Sequence, residues 1–348
     1  MKNKIIVTGG TGYIGSHTVV ELIKAGFDVL IVDDLSNSSI DVLDKIGEIT
    51  GTKPDFEKFN LQNLKKTIAL FKASKTIKAV IHFAASKAVG ESVQEPLFYY
   101  RNNLLSLINL VDAIREVGPA NLVFSSSCTV YGQPDELPVT EETPRKEAES
   151  PYGNTKMICE DILRDSTKAY GKFNIISLRY FNPIGAHESG LIGELPQGVP
   201  NNLVPYITQT AAGIREELTI FGSDYDTPDG TCIRDFINVV DLARAHVCAL
   251  NRLLEHKTKT NYEFFNIGTG TGASVLDVVK TFMTVNNIEL KYRIAGRRAG
   301  DIEKIYADTT KANTILGWKA EKTLAETLAS AWNWEKKYRA LDSNPASS

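Results

Sequence analysis

Short apolar runs alternate with amphipathic segments along the first half of the chain. The predicted strands cover residues 4–8, 28–32, 55–59, 79–83, 121–126 and 174–178. The predicted helices cover residues 16–25, 61–72, 97–117 and 151–170. Short buried strands that each lead into a helix are typical of a parallel sheet with helices on both faces. The pattern therefore predicts an α/β fold built on a doubly wound parallel sheet, in which ligands bind at the carboxyl ends of the strands.

The alternation loosens after residue 180, where proline and glycine interrupt the stretch 187–205 and a loop is predicted over 222–230. The later predicted elements are a helix over 239–254, a strand over 263–267 and a helix over 324–338. A less regular second half is what a smaller domain covering the ligand cleft would show.

We therefore predict two domains. Residues 1–181 form the sheet domain, and residues 182–341 mainly form a smaller, mixed α/β domain that binds the substrate. Segments near 234–267 are expected to return to the first domain, and residues 342–348 to form a disordered tail.

The first predicted strand ends in a glycine-rich turn. Gly10, Gly12 and Gly15 match G-x-G-x-x-G, and Gly9 with the latter two matches G-x-x-G-x-x-G. Such glycines let the backbone approach a pyrophosphate, which then lies at the positive end of the following helix. Asp33 ends the second strand, where a carboxylate binds both ribose hydroxyls and repels a 2′-phosphate. The turn therefore predicts a Rossmann-like dinucleotide site that takes NAD rather than NADP.

Tyr152 and Lys156 are four residues apart on a predicted helix, so they share one face. A phenol has a reference pKa of about 10, which a neighbouring ammonium lowers and a second cation, such as an oxidised nicotinamide ring, lowers further. Reaching a pKa of about 7 takes roughly 4 kcal/mol, at about 1.4 per pKa unit. Ser127, at the preceding strand end, can share a substrate oxygen with Tyr152. From the residues alone, Ser125 and Ser126 stay open as alternatives, and the pair itself also fits an ordinary solvated helix.

Composition limits the classes of partner that the chain is expected to bind. The formal net charge of −3 gives no electrostatic footprint for nucleic acid or an anionic membrane. No stretch approaches the ~20 apolar residues of a membrane span, and the first apolar run is too short for a signal peptide. We therefore expect a soluble cytoplasmic protein. Four widely spaced cysteines predict buried free thiols rather than disulfides or metal ligands: Cys128, Cys159, Cys232 and Cys248.

Together these motifs resemble those of the extended short-chain dehydrogenase/reductase family. Longer strings narrow the resemblance: HFAA at 82–85, KAVGES at 87–92, FSSS at 124–127, TVYG at 129–132, RYFNP at 179–183, GAH at 185–187, PQG at 196–198 and PNNL at 200–203. These strings are very similar to those of the UDP-glucose 4-epimerases, over about residues 4–334.

The resemblance implies a reaction. Tightly held NAD oxidises the C4 alcohol of UDP-galactose or UDP-glucose to a ketone, the sugar rotates, and hydride returns to the opposite face. Tyr152 is then general base and acid, Lys156 binds the nicotinamide ribose and keeps Tyr152 ionised, and Ser127 hydrogen-bonds the C4 oxygen. Since the hydride is recycled, NAD is expected to copurify with the protein.

The resemblance also implies binding residues, and no metal site. The implied cofactor-binding residues are Gly9, Gly12, Tyr13, Ile14, Gly15, Asp33, Asn37, Ser38, Asn60, Leu61, Phe83, Ala84, Ala85, Lys87, Asn102, Tyr152, Lys156 and Phe181. The implied substrate-binding residues are Ser127, Tyr152, Asn182, Asn202, Leu203, Phe221, Arg234, Arg298, Asp301 and Ile305. Among them, Arg234 and Arg298 are implied to bind the diphosphate and Asp301 a uridine ribose hydroxyl.

Three positions depart from the family pattern. Asn60 stands where an aspartate usually faces the adenine, and Cys128 replaces a more usual alanine. Ile305 occupies the position that gates room for a 2-acetamido group, where tyrosine excludes N-acetylated sugars and a small residue admits them. Our hypothesis is that UDP-glucose and UDP-galactose are accepted well and the N-acetyl forms poorly.

Other functions compete with this interpretation of the motifs. An epimerase of another UDP-sugar (UDP-N-acetylglucosamine, UDP-N-acetylgalactosamine or a UDP-uronate) and a nucleotide-sugar reductase or dehydrogenase would use the same trio. A 4,6-dehydratase needs an acid-base pair beside Ser127, where the chain has Cys128 and Thr129. A redox-sensing binder would not need Tyr152 and Lys156. As in the family's dimers, the helices over 97–117 and 151–170 are expected to pair across a two-fold axis in a homodimer.

Overall fold

A seven-stranded parallel sheet lies at the centre of the larger layer of the molecule. The structure is a computed structural model that describes residues 3–73, 76–298 and 301–341. The strands in chain order are β1 (Lys4–Thr8), β2 (Asp28–Asp33), β3 (Asp55–Lys58), β4 (Ile77–His82), β5 (Asn121–Ser127), β6 (Asn174–Tyr180), β7 (Asn182–Ile184), β8 (Leu218–Phe221), β9 (Ile233–Arg234), β10 (Phe236–Asn238), β11 (Tyr262–Ile267), β12 (Ala273–Ser274), β13 (Tyr292–Ala295) and β14 (Lys304–Ile305).

The order of strands in the main sheet is β11-β6-β5-β4-β1-β2-β3. The chain leaves β1 toward β2 and β3, then crosses back to β4 on the other side of β1. The strand order therefore reverses between β1 and β4, and open α/β sheets bind ligands at such a point, beyond the carboxyl ends of the strands. This edge of the sheet is where the functional residues are expected to meet.

Helices cover both faces of this sheet. They are α1 (Tyr13–Lys24), α2 (Val42–Thr50), α3 (Leu64–Ala73), α4 (Val89–Gln94), α5 (Pro96–Val117), α6 (Pro151–Tyr170) and α8 (Val239–Leu254), whereas α7 (Leu203–Ala211), α9 (Val275–Asn286) and α10 (Leu324–Tyr338) belong to a smaller layer. Successive β1 side chains point to opposite faces, because a strand has a period of two. Ile5 and Val7 pack with residues of α1, α2 and α8, whereas Ile6 packs with residues of α3, α5 and α6. The doubly wound, Rossmann-like fold predicted from the sequence is confirmed.

A third apolar cluster builds a smaller layer from later parts of the chain. It joins side chains of α7, α9 and α10 with those of β8 and β10, among them Ile207, Ile220 and Phe282. Three small sheets accompany it, with the orders β10-β7, β12-β9-β14 and β13-β8. The chain also returns to the main sheet, where β11 pairs with β6 and α8 lies against α1. The domain boundary at residue 181 stays a prediction.

Several boundaries differ from those expected from the sequence. Helix α3 begins at Leu64 rather than at residue 61, because the Asn63 side chain accepts the N–H of Lys66 and caps the helix. Strands β5 and β6 continue to Ser127 and Tyr180. Helices α2, α4, α7 and α9 were not expected. In the described ranges no helix is long and apolar enough to cross a membrane. The predicted disordered tail, 342–348, lies outside the described residues.

Candidate active site

The glycine turn after β1 is tightly enclosed by backbone. Gly9 has a φ of +70°, and a Cβ added there would lie 2.7 Å from the Ala84 nitrogen. A Cβ on Gly15 would lie 2.2 Å from the Gly9 oxygen, so neither position has room for a side chain. Gly12 precedes α1, which opens with Tyr13 and Ile14. The turn thus brings bare backbone to a helix N-terminus, as a pyrophosphate requires.

Asp33, at the carboxyl end of β2, lies beside this turn. Its carboxylate accepts the backbone N–H groups of Thr11 at 3.2 Å and Leu35 at 3.0 Å. The Ser38 hydroxyl lies 2.7 Å from that of Thr11, and Asn37 is exposed in the same loop. A carboxylate has about four lone-pair sites, so Asp33 keeps acceptor capacity for ribose hydroxyls. The residues present therefore fit a dinucleotide.

The loops after β3 and β4 line the same edge. Asn60 donates to the Asp34 carboxylate at 2.6 Å, and next to it Leu61 is buried. Phe83, Ala84 and Ala85 follow β4, with the ring of Phe83 4.7 Å from that of His246. Asn102 of α5 donates to Ser86 Oγ at 3.0 Å, and Lys87 pairs with Glu194 at 3.1 Å.

Helix α6 carries the predicted catalytic pair. It is capped by Ser150, whose hydroxyl accepts the N–H of Gly153, and Pro151 occupies its first turn. Tyr152 and Lys156 are both buried, with the Lys156 Nζ 5.8 Å from the centroid of the Tyr152 ring. The Lys156 ammonium donates to the Ser125 carbonyl at 2.7 Å. The helix thus projects both side chains to the carboxyl end of β5.

The three consecutive serines of β5 have different partners. The Ser126 hydroxyl donates to Glu160 at 2.6 Å, and the Ser125 hydroxyl bonds the Tyr180 hydroxyl. The Ser127 side chain, which accepts the N–H of Thr129 at 3.2 Å, lies next to the Tyr152 phenol and acts to lower its pKa. This geometry favours Ser127, which the residues alone did not separate from its two neighbours.

Burial is the largest influence on the pKa values of Tyr152 and Lys156. Burial raises the pKa of Tyr152 well above its usual range, and the nearby Tyr180 raises it further. Burial lowers the pKa of Lys156 to about 8, against the attraction of Cys159 and Glu160. Lys156 alone therefore does not make Tyr152 a phenolate at neutral pH, because desolvation outweighs the single ammonium. A second positive charge beside the phenol is required.

The sequence did not identify Asn103 as a residue of the functional site. Its side-chain amide donates to Ser86 O at 3.0 Å and to Thr155 Oγ1 at 3.1 Å, and its Oδ1 accepts the Ser86 N–H at 2.8 Å. It thereby ties the loop after β4 to the catalytic helix, beside Lys156. Asn103, Ser106 and Asn109 are all buried on one face of α5. Polar residues at this helical spacing among apolar ones are the signal that could have found it.

The predicted diphosphate ligands meet at one carboxylate. Asp301 Oδ1 lies 2.7 Å from Arg298 Nη2 and 3.9 Å from Arg234 Nη2. The Arg298 guanidinium lies 6.0 Å from the centroid of the exposed Phe221 ring. Two guanidinium groups held close together present several fixed donors, which suits a diphosphate. The structure thus brings these four residues together.

Three further predicted residues lie in or beside an apolar cluster next to Ser127. Ile305 of β14 pairs in register with Arg234 of β9 and is only 2% exposed. It belongs to one apolar cluster with Phe181 and Cys128. Asn182, the first residue of β7, directly follows Phe181 and donates its backbone N–H to Asp235 O at 2.9 Å.

The two remaining substrate-binding predictions fall at the start of α7. Asn202 and Leu203 begin this helix, and the Asn202 amide donates to Glu194 at 2.7 Å. Glu194, which the sequence did not single out, therefore contacts both a predicted substrate residue and Lys87.

The dinucleotide site lies where the strand order of the doubly wound sheet reverses, and a serine, a tyrosine and a lysine converge beside it. This combination defines a short-chain dehydrogenase/reductase of the extended type. The family model described as GDP-mannose 4,6 dehydratase matches residues 6–331. The UDP-glucose 4-epimerase of Bacillus subtilis is 50% identical over 331 residues, which cover 95% of this chain and 96% of the relative. The chain therefore belongs to the UDP-glucose 4-epimerase family, as its motifs predicted.

Solved structures are similar over almost the whole chain. The UDP-glucose 4-epimerase of Stenotrophomonas maltophila, with bound NAD and formylated UDP-arabinopyranose, is 44% identical with a TM-score of 0.93, covering 97% of this chain and 99% of that one. The enzyme of Bifidobacterium longum, in complex with NAD+ and UDP, is 45% identical with a TM-score of 0.92 and the same coverage.

Proposed function

We propose that the protein interconverts UDP-galactose and UDP-glucose, using resident NAD to oxidise the sugar at C4 and to return hydride to the opposite face. The observation that carries this proposal is the convergence of Tyr152, Ser127 and Lys156 at the sheet edge that also bears the glycine turn. The names of the relatives, and the NAD and UDP compounds in the structures of two of them, support the choice of cofactor and substrate.

The residues have distinct tasks. When bound, NAD supplies the hydride acceptor and, in its oxidised form, the second cation that the Tyr152 phenol requires. The Tyr152 oxygen takes the proton of the C4 hydroxyl and later returns it, while Ser127 hydrogen-bonds the C4 oxygen. Lys156, held by the Ser125 carbonyl, would donate to the ribose of the nicotinamide nucleotide. The buried trio excludes water, so the same proton can be returned.

A dehydratase activity fits the site less well. Elimination needs an acid-base pair beside the serine, and the adjacent residues are Cys128 and Thr129. Burial raises the pKa of the Cys128 thiol to about 12, so the thiol stays protonated at neutral pH and is not a base. Glu160, the carboxylate that bonds Ser126, is engaged by Arg179 in a buried ion pair at 2.5 Å. Neither group is free to act in an elimination.

The direct test is to incubate the purified protein with UDP-galactose, without added cofactor, and to measure UDP-glucose. We expect conversion to equilibrium without accumulation of reduced NAD, because the hydride is recycled. Reduced NAD formed in proportion to product would instead indicate a one-way reductase or dehydrogenase. No conversion by protein that carries NAD would contradict the proposal.

The buried Ile305 is expected to limit the space for a 2-acetamido group. We predict that kcat/KM for UDP-N-acetylglucosamine is at least about tenfold below that for UDP-glucose, a difference that a misfitting apolar pocket can produce. Ile305→Ala should narrow the gap, whereas Ile294→Ala, at an exposed residue of β13, should leave it unchanged. Comparable turnover of the two substrates by the unmodified protein would refute this restriction.

We also propose that the protein is a homodimer formed through α5 and α6. Leu97, Leu105 and Ile108 share one face of α5 with Arg101, and all three apolar side chains are exposed, Leu97 at 74%. Exposed apolar faces of this kind mark interaction sites. Leu97→Asp should yield monomers in light scattering, whereas Val199→Asp, at another exposed apolar residue, should leave dimers. A monomeric unmodified protein would contradict the proposal.

A cytoplasmic location is proposed as well. The four cysteines are free thiols, three of them buried, which is typical of a reducing compartment. Recovery of the protein with a secreted or membrane fraction of its host would contradict this location.

A further inference from the structure

Glu194 contacts one expected cofactor residue, Lys87, and one expected substrate residue, Asn202. Its Oε1 accepts hydrogen bonds from the Lys87 ammonium at 3.1 Å and from the Asn202 amide at 2.7 Å. The Glu194 side chain is only 11% exposed, so this carboxylate is held among its partners rather than in solvent. Lys87 follows β4 and Asn202 precedes α7, so one acidic group joins the two sides of the cleft.

The fold fixes the backbone that carries this carboxylate. The Trp334 indole of α10 donates to Glu194 O at 3.3 Å. A Cβ on Gly193 would lie 2.4 Å from the same indole, so loop and helix are in direct contact. Further along α10, Lys337 donates to Ser189 O at 2.7 Å. The last helix therefore clamps the loop, and the Glu194 side chain is preorganised.

Glu194 also lies near the glycine turn. The Lys87 Nζ is 5.5 Å from the centroid of the Tyr13 ring, and the Tyr13 hydroxyl donates to Gly185 O at 2.6 Å. Burial raises the pKa of Tyr13 well above its usual range, and the Glu194 charge raises it further. The carboxylate, the ammonium and the first residue of α1 therefore form one local group at the phosphate-binding end of the helix.

An ammonium group has three donors on a flexible stem. The bond to Glu194 uses one donor and restrains the stem, which leaves the others for a phosphate at a smaller entropic cost. Loss of the carboxylate would leave Lys87 unrestrained and would remove the charged acceptor of Asn202 at the same time.

We propose that Glu194 is a positioning residue that couples the substrate side of the cleft to retention of the dinucleotide. The inference rests on the proposed function, because an enzyme that recycles its hydride must keep the reduced cofactor until the ketone has turned. Glu194 acts through Lys87 on the cofactor and through Asn202 on the nucleotide sugar. It is not expected to touch the reacting atoms.

The test compares NAD retention in Glu194→Gln, Lys87→Met and the double variant, with Glu188→Gln as control at an exposed position of the same loop. NAD per chain is measured at intervals after gel filtration. We expect both single variants to release NAD about tenfold faster than the unmodified protein. The double variant should release NAD no faster than either single variant, because the effects of substituting residues that act as a unit do not add.

A second measurement follows turnover with saturating NAD. Glu194→Gln should raise the KM for UDP-galactose severalfold with a smaller change in kcat, because Asn202 loses a charged acceptor. Glu194→Asp, which keeps the charge, should recover part of the lost NAD retention. Thermal unfolding with NAD present establishes that each variant is folded.

Retention by Glu194→Gln equal to that of Glu188→Gln would overturn the inference, and so would additive losses in the double variant or equal losses in the Asp and Gln variants. Failure of the unmodified protein to convert UDP-galactose would instead count against the proposed function. The retention comparison decides the role of Glu194 separately, because it does not require turnover.

Discussion

Replacing Tyr152 by phenylalanine is expected to lower kcat for the conversion of UDP-galactose by about 10³-fold, within the range that a positioned general acid-base contributes. The substitution keeps the buried ring and removes only the hydroxyl, which lies next to Ser127. The fold should therefore survive while the C4 proton loses its acceptor. The measurement is single-turnover conversion at saturating substrate.

Tyr338→Phe, at an exposed residue of α10, is the matched control and should leave kcat unchanged. Activity of Tyr152→Phe within about tenfold of the unmodified protein would contradict the acid-base role. Such a result, with an undiminished biological effect, would revive the reading of the chain as a redox-sensing binder.

Lys156→Met is expected to lower activity by about 10³-fold and to stabilise the fold. The pKa of Lys156 is lowered from 10.5 to about 8. Below about pH 8 the lysine is charged in the folded and unfolded states, so the cost of burying the charge is paid in full. Between about 8 and 10.5 only the unfolded state holds the proton, so the free energy of unfolding rises with pH.

Methionine carries no charge, so the free energy of unfolding of Lys156→Met should not rise with pH in this range. At neutral pH it should be more stable by up to about 3 kcal/mol, at about 1.4 kcal/mol per pKa unit. Urea unfolding at neutral pH and above the pKa of Lys156 measures both effects. Lys168→Met, at an exposed position of α6, should change neither. A less stable variant with an unchanged pH slope would show that Lys156 is buried without a charge penalty.

The parts of the site that could be predicted are those encoded by local spacing. The glycine turn, Asp33 at the end of β2, and the pair on α6 all follow from residues close together in the chain. The long helices α5 and α6 were also predicted to within a residue. Helices α4 and α7 were missed because they are short and lie in stretches interrupted by glycine and proline.

The parts that could not be predicted depend on distant contacts. Glu194 and Lys87 are 107 residues apart, and no local pattern marks them as partners. The choice among the three serines depends on Glu160 and Tyr180, which reach β5 only in the folded chain. Desolvation is the largest cause of the Tyr152 shift in pKa, and it depends on burial in the folded chain rather than on the spacing of nearby charges.

The position of β11 at the edge of the main sheet has a consequence for biosynthesis. Its neighbour β6 is made first, and β6 keeps one side unpaired until the ribosome has added residues 262–267. A strand edge without a partner offers its N–H and C=O groups to any other chain. The interval between translation of β6 and of β11 is therefore a period in which the nascent protein needs protection from aggregation.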